Sequence, residues 1–97
     1  MIERVIVRHR AKQDIREARL WYRKISPDLG EAFLKSVDDA IALAQRYPLA
    51  FHVVHRTFRR VLLQRFPYAL FYQFRDDRIV VVAVLHQARD PQALLSL

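Results

Sequence analysis

The side chains of this sequence that could do chemistry are four histidines and a cluster of arginines, in a chain of 97 residues without cysteine. Histidine is the one side chain that titrates near neutrality without perturbation. His86 ends the most apolar run, Ile79 to Leu85, and precedes a polar exit, Gln87-Ala88-Arg89-Asp90-Pro91. A histidine there can face a cleft as a proton donor or acceptor; the structural alternative is a strand-end ring paired with Asp90. Arg56, Arg59, Arg60 and Arg65 lie among Phe58 and Phe66. Cations interleaved with aromatic rings suit single-stranded nucleic acid, whose phosphates meet guanidinium groups while bases stack on rings. If that cluster met His86, RNA could be cleaved without a metal. One group would take the 2′-hydroxyl proton, arginine would stabilise the pentavalent phosphate, and an acid would protonate the leaving oxygen. The candidates for that work are His86, Arg60 and Arg65. The plainer reading is that these arginines blunt a sheet edge.

Other groupings carry less. His52 and His55 point to opposite faces of a strand, and no third ligand follows at a useful spacing. Asp76-Asp77 reads as a turn, and Asp38 and Asp39 are adjacent on a helix, where neighbours do not face each other. The absence of cysteine excludes disulfides, thiolate nucleophiles and iron–sulfur clusters, and a single glycine cannot build a phosphate cradle. No metal and no cofactor is therefore expected.

Charge and hydropathy bound the setting. A formal charge of +7 accompanies 53% hydrophobic residues, which indicates a folded basic domain rather than a basic tail. The length suits one domain over residues 1–97. No run is long enough to span a membrane, and the N-terminus lacks an uncharged apolar stretch, so a cytoplasmic protein without membrane partners is expected. The net charge is +5 over residues 1–26, −2 over 27–50 and +4 over 51–97. An anionic partner would meet the two basic parts.

The elements that must position these groups follow from periodicity. Ile2 to Val7 reads as a strand. Ala11, Ile15, Ala18, Tyr22 and Ile25 form the apolar stripe of a helix whose other side is basic. Ser26-Pro27 is an N-cap and first-turn proline for a second helix, with Leu29, Phe33, Val37, Ala40, Ile41, Ala44 and Tyr47 inward and Pro48 as its stop. The remainder is β: a weak strand at His52 to Arg56, a stronger one at Phe58 to Phe66 whose buried face is ambiguous, then Tyr68 to Arg75 and Arg78 to His86 joined by Asp76-Asp77. Alternation puts Tyr68, Leu70, Tyr72 and Phe74 on one face, and the unbroken apolar run marks the last strand as covered on both. The expected fold class is α+β, in the order β-α-α-β-β-β, a helical hairpin packed on a mostly antiparallel sheet.

Arg59-Arg60-Val61-Leu62-Leu63-Gln64-Arg65-Phe66-Pro67-Tyr68, the Asp76-Asp77 turn and Val82 to Pro91, with Ala11, Asp14, Ile15 and Tyr22 in front, resemble the RelE/ParE superfamily of bacterial type II toxins. The resemblance covers essentially the whole chain. It implies a toxin neutralised by a cognate antitoxin in a hetero-oligomer, and a role such as plasmid stabilization through growth arrest. Ala69 stands where the RelE branch, which cleaves ribosome-bound mRNA, carries a catalytic Arg, and no Tyr follows Tyr72. The ending Leu85-His86 to Arg89-Asp90-Pro91 looks nearer the ParE branch, associated with inhibition of DNA gyrase. On that reading Arg59, Arg65, His86 and Arg89 would bind the target, and Ile15, Tyr22, Arg16 and Arg19 would bind the acidic segment of the antitoxin. The alternatives are a RelE-like nuclease acting on the ribosome and mRNA, and a non-toxic basic domain that binds nucleic acid.

Overall fold

The structure, a computed structural model, describes residues 4–89. Asp90 and Pro91, invoked as a partner for His86 and as part of the C-terminal motif, lie outside the described residues, as does the expected strand start at Ile2. The first strand is β1 (Arg4–Val7), followed by α1 (His9–Ile25) and α2 (Pro27–Arg46). β2 (Val53–His55), β3 (Phe58–Leu62), β4 (Tyr68–Arg75) and β5 (Arg78–His86) complete the elements among the described residues. The strand order is β1-β5-β4-β3-β2, antiparallel except for the parallel β1–β5 pair. The short β2 is the weak strand of the sequence, so the order is the expected one with a fourth strand after the helices.

Helix α1 turns Ala11, Ile15, Ala18 and Tyr22 inward, but Ile25 is exposed at the corner where the chain reverses. No carboxylate sits in its first turn, while Arg23 and Lys24 in the last complement the helix dipole. Ser26 has the extended backbone of an N-cap, yet its hydroxyl caps nothing; its carbonyl accepts from the Leu29 and Gly30 amides at 3.0 and 3.4 Å instead. Pro27 opens α2 as expected, since its missing N–H is lost at the first turn of any helix. With one residue between them the helices pack closely. Gly30 is where they touch, for a Cβ there would stand 3.1 Å from the Arg23 Cβ. The Arg19 guanidinium bridges the hairpin to Glu31 at 2.7 Å. At the far end of α2, Tyr47 is half exposed rather than inward.

The helices cover one face of the sheet, where Val61, Leu70, Tyr72, Ile79, Val81 and Val84 join Phe33, Val37 and Ala40 in the core. Phe58, Ala69, Phe71, Val80, Val82, Ala83 and Leu85 form a second buried cluster on the opposite face. Every residue from Ile79 to Leu85 is buried, as the unbroken apolar run requires. The ambiguous strand contributes to both clusters, with Val61 on the helix side and Phe58 on the other. It is four residues shorter than expected. After Leu62 the chain leaves the ladder, and Gln64 to Pro67 form a loop held to α2 by the Ser36 hydroxyl, which donates to the Gln64 carbonyl at 2.7 Å.

Candidate functional site

The end of β5 is where two neighbours hand over. β1 pairs only as far as Val81, and the Arg8 amide closes that ladder on the Val81 carbonyl at 3.0 Å. Beyond it α1 takes the place of a strand: the Asp14 carboxylate accepts the Val84 amide at 3.0 Å, with Arg10 Nε 3.8 Å away. Burial raises the pKa of Asp14 above its ordinary value, against the lowering pull of the Val84 amide and the Arg10 and Arg89 charges. A register shift opposite Phe71 and Tyr72 puts both Val82 and Ala83 on the sheet's outer face and returns Val84 to the helices.

His86 follows, exposed, directly across from Tyr68, with the rings 5.2 Å apart edge to face. A tight turn fixes it. The Gln87 amide donates to the Pro67 carbonyl at 2.8 Å, the Arg89 amide to the His86 carbonyl at 2.9 Å, and the Ala88 amide to His86 Nδ1 at 3.0 Å. Because Nδ1 accepts, the neutral ring carries its proton on Nε2, which is the atom left for a ligand.

Two cavities flank this turn. On the outer sheet face a cleft of about 450 Å³ is walled by Arg60, His86 and Arg89 and floored by Leu62, Ala69, Phe71 and Leu85. Against α1 a smaller one of about 260 Å³ is lined by Asp14, Glu17, Trp21 and Tyr68, again with His86 and Arg89. Trp21 is 61% exposed. A third cavity, a groove of about 450 Å³, runs between the helices, with Ile15, Leu20, Leu34, Val37 and Ile41 as its apolar lining and Lys12, Arg16 and Arg19 on its rim.

Arg60, His86 and Arg89, singled out from the sequence, thus meet in one cleft. Arg59 does not join them. It shares the parity of Val61 and donates to the Phe51 and Leu49 carbonyls at 2.7 and 3.4 Å, holding the loop after α2. Arg65 sits in the loop after β3 at φ 72°, its guanidinium 5.6 Å from the Phe66 ring centre, outside the cleft. Ile15, Arg16 and Arg19 line the helical groove, whereas Tyr22 packs in an aromatic cluster with Phe33, Phe66 and Tyr68. His55 stacks on Phe58, and among the described residues no group of three His, Asp or Glu side chains could hold a metal. Trp21, Glu17 and Leu34 escaped sequence reasoning. Trp21 left a signal all the same, as the one tryptophan of the chain, placed off the apolar stripe of its helix.

Comparison with known proteins gives a family and a fold. The family model described as the ParE toxin of the type II toxin-antitoxin system, parDE, matches residues 5–91. Toxin ParE2 of Mycobacterium tuberculosis, in strains CDC 1551 / Oshkosh and ATCC 25618 / H37Rv alike, is 27% identical over 95 residues, covering 97% of this chain and 90% of its own length. The solved structure titled "Chromosomal ParDE TA system from P. aeruginosa" shares the fold with a TM-score of 0.64 at 14% identity, over 88% of this chain and 96% of that one.

Proposed function

For a chain that belongs to the ParE toxin family of type II toxin–antitoxin systems, we propose a toxin that arrests growth by inhibiting DNA gyrase and is silenced by a cognate antitoxin laid into the groove between α1 and α2. The groove carries the reading. Its apolar floor between Ile15, Leu34 and Ile41 suits the buried face of an amphipathic segment, and Lys12 and Arg16 on its rim, with Arg19 bridged to Glu31 and one carboxylate at Asp38, leave a net positive charge for acidic residues flanking that face. A segment that folds as it binds meets the ordering cost with just this combination of buried apolar area and charge. Gyrase is favoured as target because Ala69 on the cleft floor offers no acid, base or phosphate clamp. A ribosome-dependent nuclease is the second reading, supported by the meeting of Arg60 and His86 in one cleft.

Induced expression in a bacterial host tests the target. Filamentation, DNA-damage signalling and loss of supercoiling by purified gyrase are expected. Rapid mRNA cleavage with blocked translation overturns gyrase in favour of the nuclease. For the partner, Arg16→Glu with Arg19→Glu should leave growth arrest intact while abolishing rescue by the acidic product of an adjoining gene. Rescue that survives the charge reversal removes the groove from the proposal.

A further inference from the structure

At the start of β5, the end of the sheet away from His86, arginines face one another across two ladders. Arg78 stands directly opposite Arg4 of β1 and Arg75 of β4. Residues so paired share a face, and it is the outer one, because the adjacent Val5, Phe74 and Ile79 pack on the helix side. Three guanidinium groups on three neighbouring strands thus form a row about 10 Å long at the backbone. Arg8, just past β1, joins Arg75, Arg78 and Asp76 around a cavity of about 270 Å³ with Ile6 and Val80 beneath. None of the four arginines makes an ion pair or a side-chain hydrogen bond among the described residues. Like charges directly opposite each other weaken a ladder. A cation on an exposed edge guards it against unwanted pairing, which accounts for Arg4 and Arg8. It does not account for Arg75 and Arg78, because β4 and β5 are interior strands.

We propose that this row binds a compact multivalent phosphate anion of the diphosphate class, gripped by Arg8, Arg75 and Arg78 with Arg4 alongside. Guanidinium forks meet phosphate oxygens in bidentate pairs and need no glycine loop to do so. Several arginines turned to one cavity call for more charge than a single phosphate brings. The surroundings limit the size of the ligand. Asp76 and Asp77 stand in the turn that closes the row at one end, so a long polyanion running on past Arg75 and Arg78 would meet two carboxylates. A partner protein would find only Ile6 and Val80 as apolar anchors. A small anion avoids both costs. It also offsets the repulsion between facing arginines, and so ties β1 and β4 to the start of β5. The diphosphate could be free or the end of a larger molecule such as a nucleoside diphosphate, and the chemistry at the row is the same. The site lies apart from the helical groove and the cleft at His86, and the proposal stands or falls independently of gyrase inhibition.

Pyrophosphate, titrated by calorimetry at physiological ionic strength, should bind one to one and at least about tenfold more tightly than orthophosphate. At roughly a hundredfold excess over its Kd it should raise Tm by about 10 °C, whereas sodium chloride at matched ionic strength should not. Arg78→Met keeps the aliphatic stem but removes the charge at the middle of the row. It should raise the Tm of the unliganded protein and abolish the pyrophosphate shift, opposite signs that a merely structural arginine would not give. Arg75→Met carries the same expectation if Arg78→Met fails to fold. Arg78→Lys keeps the charge and should still weaken binding by about tenfold, through loss of the planar fork. Lys24→Met, which removes a charge in the last turn of α1, should change neither quantity. Equal affinity for pyrophosphate and a nucleoside diphosphate identifies the free anion as the ligand; tighter binding of the nucleoside diphosphate identifies the larger molecule. No binding of either overturns the proposal, as does a shift that chloride reproduces or one that survives both methionine variants. Displacement of pyrophosphate by polyglutamate or duplex DNA that binds the same arginines more tightly also overturns it, and would assign the row to a macromolecule.

Discussion

Asp14 and Val84, separated by seventy positions, are joined by a 3.0 Å hydrogen bond from the Val84 amide to the Asp14 carboxylate. That bond docks α1 on the stretch of β5 that β1 leaves uncovered, just before His86 and Arg89. Asp14→Ala strands a part-buried amide and should lower stability by about 1–3 kcal/mol, measured by urea unfolding.

The same contact fixes a pH dependence. Burial raises the Asp14 pKa in the fold, so the folded state binds the Asp14 proton more tightly than the unfolded chain. Stability from this group is therefore fully present below the ordinary carboxylate value, falls as pH rises through the raised value, and is constant above it. Asp14→Asn keeps an acceptor for Val84 without the charge. Its stability relative to the natural chain should rise across that window and then level off; a flat difference across the window contradicts the assignment.

Gly30 sets the spacing of the helices. Alanine there gains up to about 1 kcal/mol of helix propensity but meets the Arg23 Cβ at 3.1 Å, so Gly30→Ala should be nearly neutral. Gly30→Leu must push α1 away and should cost about 1–3 kcal/mol in thermal unfolding.

The loop after α2 hangs from two donors. The buried Tyr72 hydroxyl donates to the Pro48 carbonyl at 2.7 Å, and Arg59 to Phe51 at the same distance. Tyr72→Phe should cost about 0.5–1.5 kcal/mol. Combined with Arg59→Ala the losses should be non-additive, because one loop is held by both, and amide exchange at 49–52 should speed up in either variant.

Asp76 and Asp77 both adopt left-handed backbone, at φ 53° and 55°, in the two-residue connection of β4 to β5. Asp77→Gly should raise stability by up to about 1 kcal/mol by relieving that conformation, while Asp76 stays to offset the Arg75 and Arg78 pair across the ladder.

Sequence reading found what periodicity encodes and missed what packing decides. The limits of β4 and β5 were legible because an aromatic alternation has no helical equivalent, and because the apolar run Ile79 to Leu85 is rich in β-branched residues, follows a turn and is too short for a buried helix. The two aspartates between them marked the turn without a glycine. β3 was read too long because Leu63 and Phe66 are buried like strand residues although the backbone there belongs to a loop that Ser36 holds. Of the cleft, Arg60, His86 and Arg89 were in view. Arg59 and Arg65 were grouped with them by proximity in sequence, yet strand parity sends Arg59 to the opposite face, and the left-handed backbone at Arg65 turns the chain out of the ladder. The helix-side pocket could not be seen at all, since nothing in the sequence says that Trp21 and Glu17 end beside Tyr68, His86 and Arg89, far along the chain.

The parallel pairing of the first strand with the last also gives the molecule an order of assembly. On a chain growing from its N-terminus, β1 has no neighbour to join until Arg78 and its successors have been made, so the sheet closes only once β5 is complete. Every residue lining the helical groove has been made by Ile41, whereas the cleft waits for Arg89. An antitoxin that binds the groove, as proposed, would find all of its contact residues synthesised well before those of the cleft.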